Sequence, residues 1–320
     1  MLNLRFVVCT LPIGMMVLGA GVVSGQAYPS KPIRIVTAAA GAGSDFFSRL
    51  IAQALSEPLG QQVIVDNRAS GIVASEVVSK AAPDGYTLTV GGSAHWIRPL
   101  FAKMPYDAVK DFAAITLVSK DAFVLAAHPS MPIKSVKELI ALAKSKPGQL
   151  NYGTSGTGST QHLATESFAA MAGIKLTHIP YKGSAMAITD LLAGESQVMI
   201  NDVGLIMPHA KVGKLRALAV TTAEPSALVP GLPPIASEVP GYEAVSMTGL
   251  WAPAGTPAAI ITRLNQETVR ALNRADIKER ILKAGSEAVG NSPEQFTALI
   301  KADMSRITKV IKEAGLKTDL

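Results

Sequence analysis

Residues 151–168, NYGTSGTGSTQHLATESF, set three glycines and five hydroxyl side chains between Gly153 and Thr160, then run into a helical pattern. A Gly-rich loop that opens a helix gathers orphan backbone N–H groups at the positive end of the helix dipole, which suits an anion. The same residues do not suit bond making. A Walker-type phosphate loop needs Lys after Gly158, where Ser159 stands, and a nucleophile elbow around Ser155 needs glycines two places to either side, where Gly153 is answered by Thr157. The five histidines, His95, His128, His162, His178 and His209, show no H-x-H or H-E-x-x-H spacing, so no metal site is expected. With no activated nucleophile or acid–base pair in view, neither an enzyme nor a cofactor is expected. What remains is a neutral, donor-rich loop at Ser155, Thr157, Gly158, Ser159 and Thr160, suited to a carboxylate held reversibly.

Two further stretches share this design. IRIVTA (33–38) runs into AAGAGSDFFSRLIAQAL, where Gly41 and Gly43 precede Ser44, a plausible N-cap. The dinucleotide fingerprint fails there, because Phe46 stands where its third glycine belongs. In HIPYKGSAMAITDLLAGESQVMINDV (178–203), Gly183 and Ser184 open a second short helix and Asn201-Asp202 close a strand. This segment reads equally as an ordinary strand–helix–strand unit with a glycine C-cap. Asp202 suits either a ligand N–H or O–H or the cap of a helix.

These loops need elements to carry them. Phe47, Leu50, Ile51 and Ala54 form the i, i+3, i+4, i+7 stripe of an amphipathic helix, QVIVDN and YTLTVGG read as strands, and ASEVVSKAA reads as a helix ended by Pro83-Asp84-Gly85. Such alternation argues for parallel sheets clad by helices. Two apolar segments, 122–130 and 246–257, bracket a middle region with its own alternation. They read as crossover strands, with the first lobe built from both ends of the chain. The helices PAAIITRLNQETVRALN and SPEQFTALIKADMSRITKVIKEAG, each with Pro near its first position, read as cladding of that lobe.

The first 27 residues place Arg5 before an apolar run and end in small residues, the pattern of a secretory signal peptide cleaved before Tyr28. A membrane anchor is the weaker reading, since no basic stop-transfer flank follows. Export is expected. The single cysteine, Cys9, lies in this leader, so thiol chemistry and disulfides drop out. The 293 residues that follow suit two α/β lobes and a cleft between them. Without Arg5 there are 29 basic against 24 acidic residues, and the lysines are scattered along helix faces such as VKELIALAKSK. That is a solvated basic surface, not a nucleic-acid stripe, although it draws small anions.

The segments YPSKPIRIV, KAAPDGYTL, MPYDAVKDF, KPGQLNYGTSGTGSTQHLATESF, PYKGSAMAITDLLAGESQVM, GKLRALAVT and LWAPAGTP follow one another over the whole mature chain in an order that resembles the Bug family. These are periplasmic substrate-binding receptors of tripartite tricarboxylate transporters. The resemblance implies a two-lobed Venus-flytrap fold of the periplasmic-binding-protein type, two α/β lobes joined by two crossover strands. Lobe 1 would span 28–125 and 249–320, and lobe 2 would span 126–248. It implies a monomer that binds a small organic carboxylate and meets membrane permease subunits transiently. The rival role is a ligand-sensing co-receptor for a sensor kinase, without transport. Carried over residue by residue, the ligand site falls on the loop from Ala38 to Asp45, with Ala38, Ala39, Ser44 and Asp45, on Ser93 and His95 of SAHW, on the loop from Thr154 to Gln161, with the five residues named above, and on Gly183, Asn201 and Asp202 as a further wall. Where relatives carry bulky residues in the first loop this chain has Ala38, and where an aromatic pair often precedes the later glycine it has Met247 and Thr248 before Gly249. A roomier pocket is expected, preferring a carboxylate longer or bulkier than aspartate or glutamate.

Overall fold

The computed structural model describes residues 28–41, 43–313 and 315, so the leader at residues 1–27 lies outside the described residues. The N-terminal part alternates strand and helix: β1 (Ile33–Thr37), α1 (Gly43–Leu59), β2 (Val63–Asn67), α2 (Gly71–Ser79), β3 (Thr87–Gly92) and the short α3 (Ala94–Ile97), which runs into a 3₁₀ turn at Arg98–Leu100. The helical stripe packs as its spacing requires, with Phe47, Leu50, Ile51 and Ala54 all buried. α1 starts at Gly43, so Ser44 lies inside the first turn and is not its cap.

The long strand β4 (Phe112–Ala127) leads into α4 (Val136–Ser145), β5 (Asn151–Thr154), α5 (Thr160–Ala172), β6 (Thr177–Pro180), α6 (Ser184–Ala193), β7 (Val198–Asp202), α7 (Val203–Lys211) and β8 (Arg216–Val220). The chain returns through β9 (Val245–Pro253) to α8 (Ala258–Leu272), α9 (Ala275–Lys283), the two-residue β10 (Glu287–Ala288) and α10 (Pro293–Glu313). Side-chain caps start several of the helices. Ser70 Oγ accepts from the Val73 N–H, Ser135 Oγ from the Glu138 N–H and Ser159 Oγ from the His162 N–H.

The strands run in the order β2-β1-β3-β9-β4-β7-β5-β6, with β8 and β10 also paired to β4. β1 is parallel to β2 and β3, and β5 is parallel to β6 and β7. Strand β4 serves both halves. Phe112 to Ala122 pair with β9, Phe123 to Ala127 pair with β7, and Val124 to Ala127 pair with β8, all antiparallel. The first crossover strand therefore begins ten residues before the apolar run that marks it in the sequence.

Four cores fill the layers. On the N-terminal sheet, α1, α8 and α9 cover one face, while α2, α3 and α10 cover the other around Trp96, Trp251 and Phe296. In the second half, α4 and α5 cover one face, and α6 and α7 the other. α10 is more than cladding of the first half. Phe296, Ile300 and Ile307 share a core with Leu163 of α5, so the helix packs on both halves. Gly249 makes its seat, because a Cβ there would stand 2.2 Å from Phe296 Cζ.

Candidate functional site

Two adjoining cavities, of about 280 and 390 Å³, open at the carboxyl ends of the strands. The smaller is walled by Ala38, Gly43 and Ser44 of the first loop, by Ser70, Gly71 and Ile72 at the start of α2, and by Gly91, Gly92, Ala94, His95, Arg98 and Tyr106. The larger lies between the halves, with Ala94, Ile97, Arg98, Phe101, Ala102 and Met104 facing the loop from Ser155 to Gln161. Ala94 and Arg98 border both, so the two spaces meet there.

The 155–160 loop is held from behind. The Gly158 N–H donates to His162 Nδ1 (3.1 Å), the Gly156 N–H donates to Thr154 Oγ1 (3.2 Å), and Thr154 Oγ1 meets His178 Nε2 (2.7 Å). The two imidazoles stack with centroids 4.0 Å apart. Burial, aided by His178, brings His162 down to about 4, so the ring stays neutral and Nδ1 keeps its lone pair for Gly158. Gly158 sits at φ +76°, a region glycine enters without strain.

Gln161 ties the loop to the strand end. Its Oε1 accepts from Ser155 Oγ (3.1 Å) and Thr160 Oγ1 (3.4 Å), and its Nε2 donates to Asn201 Oδ1 (3.4 Å) and Asp202 Oδ2 (3.3 Å). Thr157 is exposed. The N–H groups of Thr160 and Gln161 open α5 and, like all first-turn amides, have no intrahelical acceptor. Thr157, Thr160 and Gln161 all border the larger cavity.

Eight of the fourteen residues carried over by resemblance border the cavities: Ala38, Ser44 and His95 in the smaller, and Ser155, Thr157, Gly158, Ser159 and Thr160 in the larger. The other six do not. Ala39 is exposed, and Gly183 caps α6 away from both spaces. In the other four the polar groups already have partners within the protein. The Asp45 carboxylate already accepts from Gly41 N–H (3.0 Å), Asn67 Nδ2 (2.8 Å) and Arg49 Nε (3.2 Å). Burial pushes that carboxyl up, but these donors outweigh it and hold it below the usual range, so Asp45 braces the first loop. Ser93 Oγ donates to Met247 O (3.3 Å) and accepts from Met247 N–H (2.8 Å), which commits it to β9. Asn201 is fully buried and positions Gln161 and the Asp202 N–H. Asp202, pushed up by burial against the Gln161 hydrogen bond, anchors Gln161.

His95 borders the smaller cavity as a neutral wall. It stacks on Tyr106 with centroids 5.1 Å apart, its Nδ1 meets Ser75 Oγ (2.8 Å), and burial brings it down to about 3. Met247 and Thr248, from which a roomier pocket is expected, lie elsewhere. Neither borders these cavities, and Met247 is buried toward α10, beside Leu299 and Arg306.

Sequence reasoning set Gln161 at the end of the ligand loop without its role as the brace, and it missed the Ser70-Gly71 helix start and Arg98. Ser70-Gly71 follows a strand and precedes an apolar run, the same signal as the two loops that were found. Arg98 carries no motif. Among the described residues no group of three or more His, Cys, Asp or Glu side chains is placed to hold a metal.

Two α/β units joined through long strands, with donor-rich loops around a cleft, define a solute-binding receptor of the periplasmic-binding-protein class. The chain belongs to the tripartite tricarboxylate transporter family receptors, whose family model matches residues 47–316. The family consists of substrate-binding receptors and not of enzymes. Its relatives include the protein BugT of Bordetella pertussis, 33% identical over 315 residues, 95% of this chain and 97% of the relative. Among solved structures, Rpa4515 of R. palustris with adipate is similar at TM-score 0.74 and 36% identity, covering 90% of this chain and 98% of the other. MatC of Rhodopseudomonas palustris with bound malate is similar at TM-score 0.69 and 29% identity, covering 89% and 100%.

Proposed function

We propose that this protein is an exported receptor that captures a small organic carboxylate between residues 28–125 with 249–320 and residues 126–248, and delivers it to a tripartite tricarboxylate-type permease. One observation carries the ligand class: the two cavities are bordered by hydroxyl and amide donors and by one cation, and among the described residues no acidic side chain borders either. Such a lining favours an anion over a cation. The relatives with adipate and malate support a dicarboxylate, and the absence of a bulky side chain at Ala38 supports a body longer than four carbons. Binding stabilises a closed arrangement, since the loop donors and the α3 turn lie on opposite walls of one cavity.

The test is a thermal-shift screen of residues 28–320 over carboxylic acids of increasing length, followed by recovery of the bound acid. A dicarboxylate that raises the melting temperature and is recovered intact supports the reading. Turnover of the acid, or no shift with any member, overturns it. Export is tested by the mass of the periplasmic protein, which should begin at Tyr28.

A further inference from the structure

Arg98 is the one formally charged residue among the described residues on the walls of both cavities. Among the described residues its side chain has no ion pair with any carboxylate, whereas Arg34, Arg49, Arg68, Arg270, Arg274 and Arg306 each have one. Its backbone is nevertheless fixed. The preceding Trp96 is fully buried with its indole N–H donated to Asp303 Oδ2 (2.8 Å), Ile97 is buried, and Tyr106 Oη donates to the His95 carbonyl (3.1 Å). Pro99 follows and opens a 3₁₀ turn. A guanidinium on an anchored turn, bordering a space with no competing carboxylate, is a prepared anion site.

The opposite wall differs in kind. There the loop offers neutral donors, at the Thr157 hydroxyl and the first amides of α5, which are enough for one carboxylate. About 390 Å³ separates the two walls, room for a carbon chain. We infer that Arg98 is the specificity-determining residue of this receptor: the 155–160 loop holds one carboxylate, and the Arg98 guanidinium pairs with a second, so the site selects dianions over monoanions. This inference rests on the carboxylate-receptor reading above.

The experiment measures affinity by calorimetry for adipate and for its monomethyl ester, with the wild type, Arg98→Gln and Arg98→Lys. Arg98 is exposed and its side chain makes no hydrogen bond with the described residues, so these variants keep the wild-type melting temperature. Loss of a charge-assisted, bidentate pair should weaken adipate by about ten- to hundredfold in Arg98→Gln, while the monoester, which offers no second anion, changes by less than about threefold. Arg98→Lys should fall between, since it keeps the charge and loses the fork. Equal adipate affinity in Arg98→Gln and wild type overturns the inference and leaves the receptor reading standing. Equal losses for adipate and monoester show that Arg98 shares a single carboxylate with the loop, which overturns the dianion claim. If the wild type binds neither compound nor any other acid of the series, the receptor reading itself falls.

Discussion

Gln161→Leu removes the side chain that joins the loop to the second half while nearly conserving its volume. Gln161 makes four hydrogen bonds at 3.1 to 3.4 Å, two from loop hydroxyls and two to the end of β7. At these long distances each is worth about 0.5 kcal/mol net, and the contact with the mostly buried Asp202 carboxylate about 1 kcal/mol. The sum, about 2.5 kcal/mol, corresponds to a melting temperature lower by about 4 °C for a chain of this size. Affinity falls separately. Without the brace, the ligand must order about one or two loop residues on binding, at about 1 kcal/mol each, which weakens it by about five- to thirtyfold. Scanning fluorimetry and calorimetry read the two effects. A variant that melts as the wild type and binds as tightly would refute the claim that Gln161 holds the loop. Lower stability with unchanged affinity would show that His162 and His178 hold it alone.

Four other outcomes are expected. Thr157→Ala should weaken the bound acid by about 1 to 2 kcal/mol, whereas Ser155→Ala should weaken it less, because the Ser155 hydroxyl hydrogen already points to Gln161; calorimetry ranks them. Ala38→Phe should fill the smaller cavity and shift preference toward shorter acids in competition binding, and an unchanged order would remove that wall from the pocket. Gly249→Ala should cost more than about 3 kcal/mol by driving Phe296 and α10 off the sheet, and a wild-type melting curve would contradict the packing. Stability should fall from pH 7 to pH 5. His95 and His162, held at about 3 and about 4, charge in the unfolded chain near 6.5 but not in the folded one, so their contribution is whole above 6.5 and is lost as the pH drops toward 4. Each removes about 1.4 kcal/mol per pH unit, and Asp121, pushed up to about 6 by burial and then by Asp202, offsets about one proton in the opposite sense. His162→Gln, which keeps an acceptor for the Gly158 N–H, should lessen the slope in thermal melts, and an unaltered slope would argue against a neutral His162.

Local physics made much of this molecule legible. The stripe of α1, the β-branched runs of β1 and β2, and the Gly-Ser-Thr loop all follow from neighbours in the chain. So did the residues that border the larger cavity from the loop side, because a helix start is a local feature. What stayed hidden depends on residues far apart. Ser93 looks like a free hydroxyl until β9, 154 positions later, supplies Met247 as its partner. Asp45 and Asn201 look like unpartnered polar groups until Asn67 and Gln161 bond to them. α10 reads as the cladding of one half because its stripe records which face is apolar, not that Leu163 of the other half completes the core. Arg98 is one arginine among many in the sequence, and only the fold shows that, among the described residues, no carboxylate reaches it.

The most direct test of the central claim is a calorimetric titration of residues 28–320 with adipate, with the bound acid examined by NMR afterwards. The account predicts one saturable site per chain, an affinity that falls on Thr157→Ala, and adipate recovered unchanged. Absence of binding across dicarboxylates of graded length, or binding that is indifferent to every change in the 155–160 loop, would contradict it.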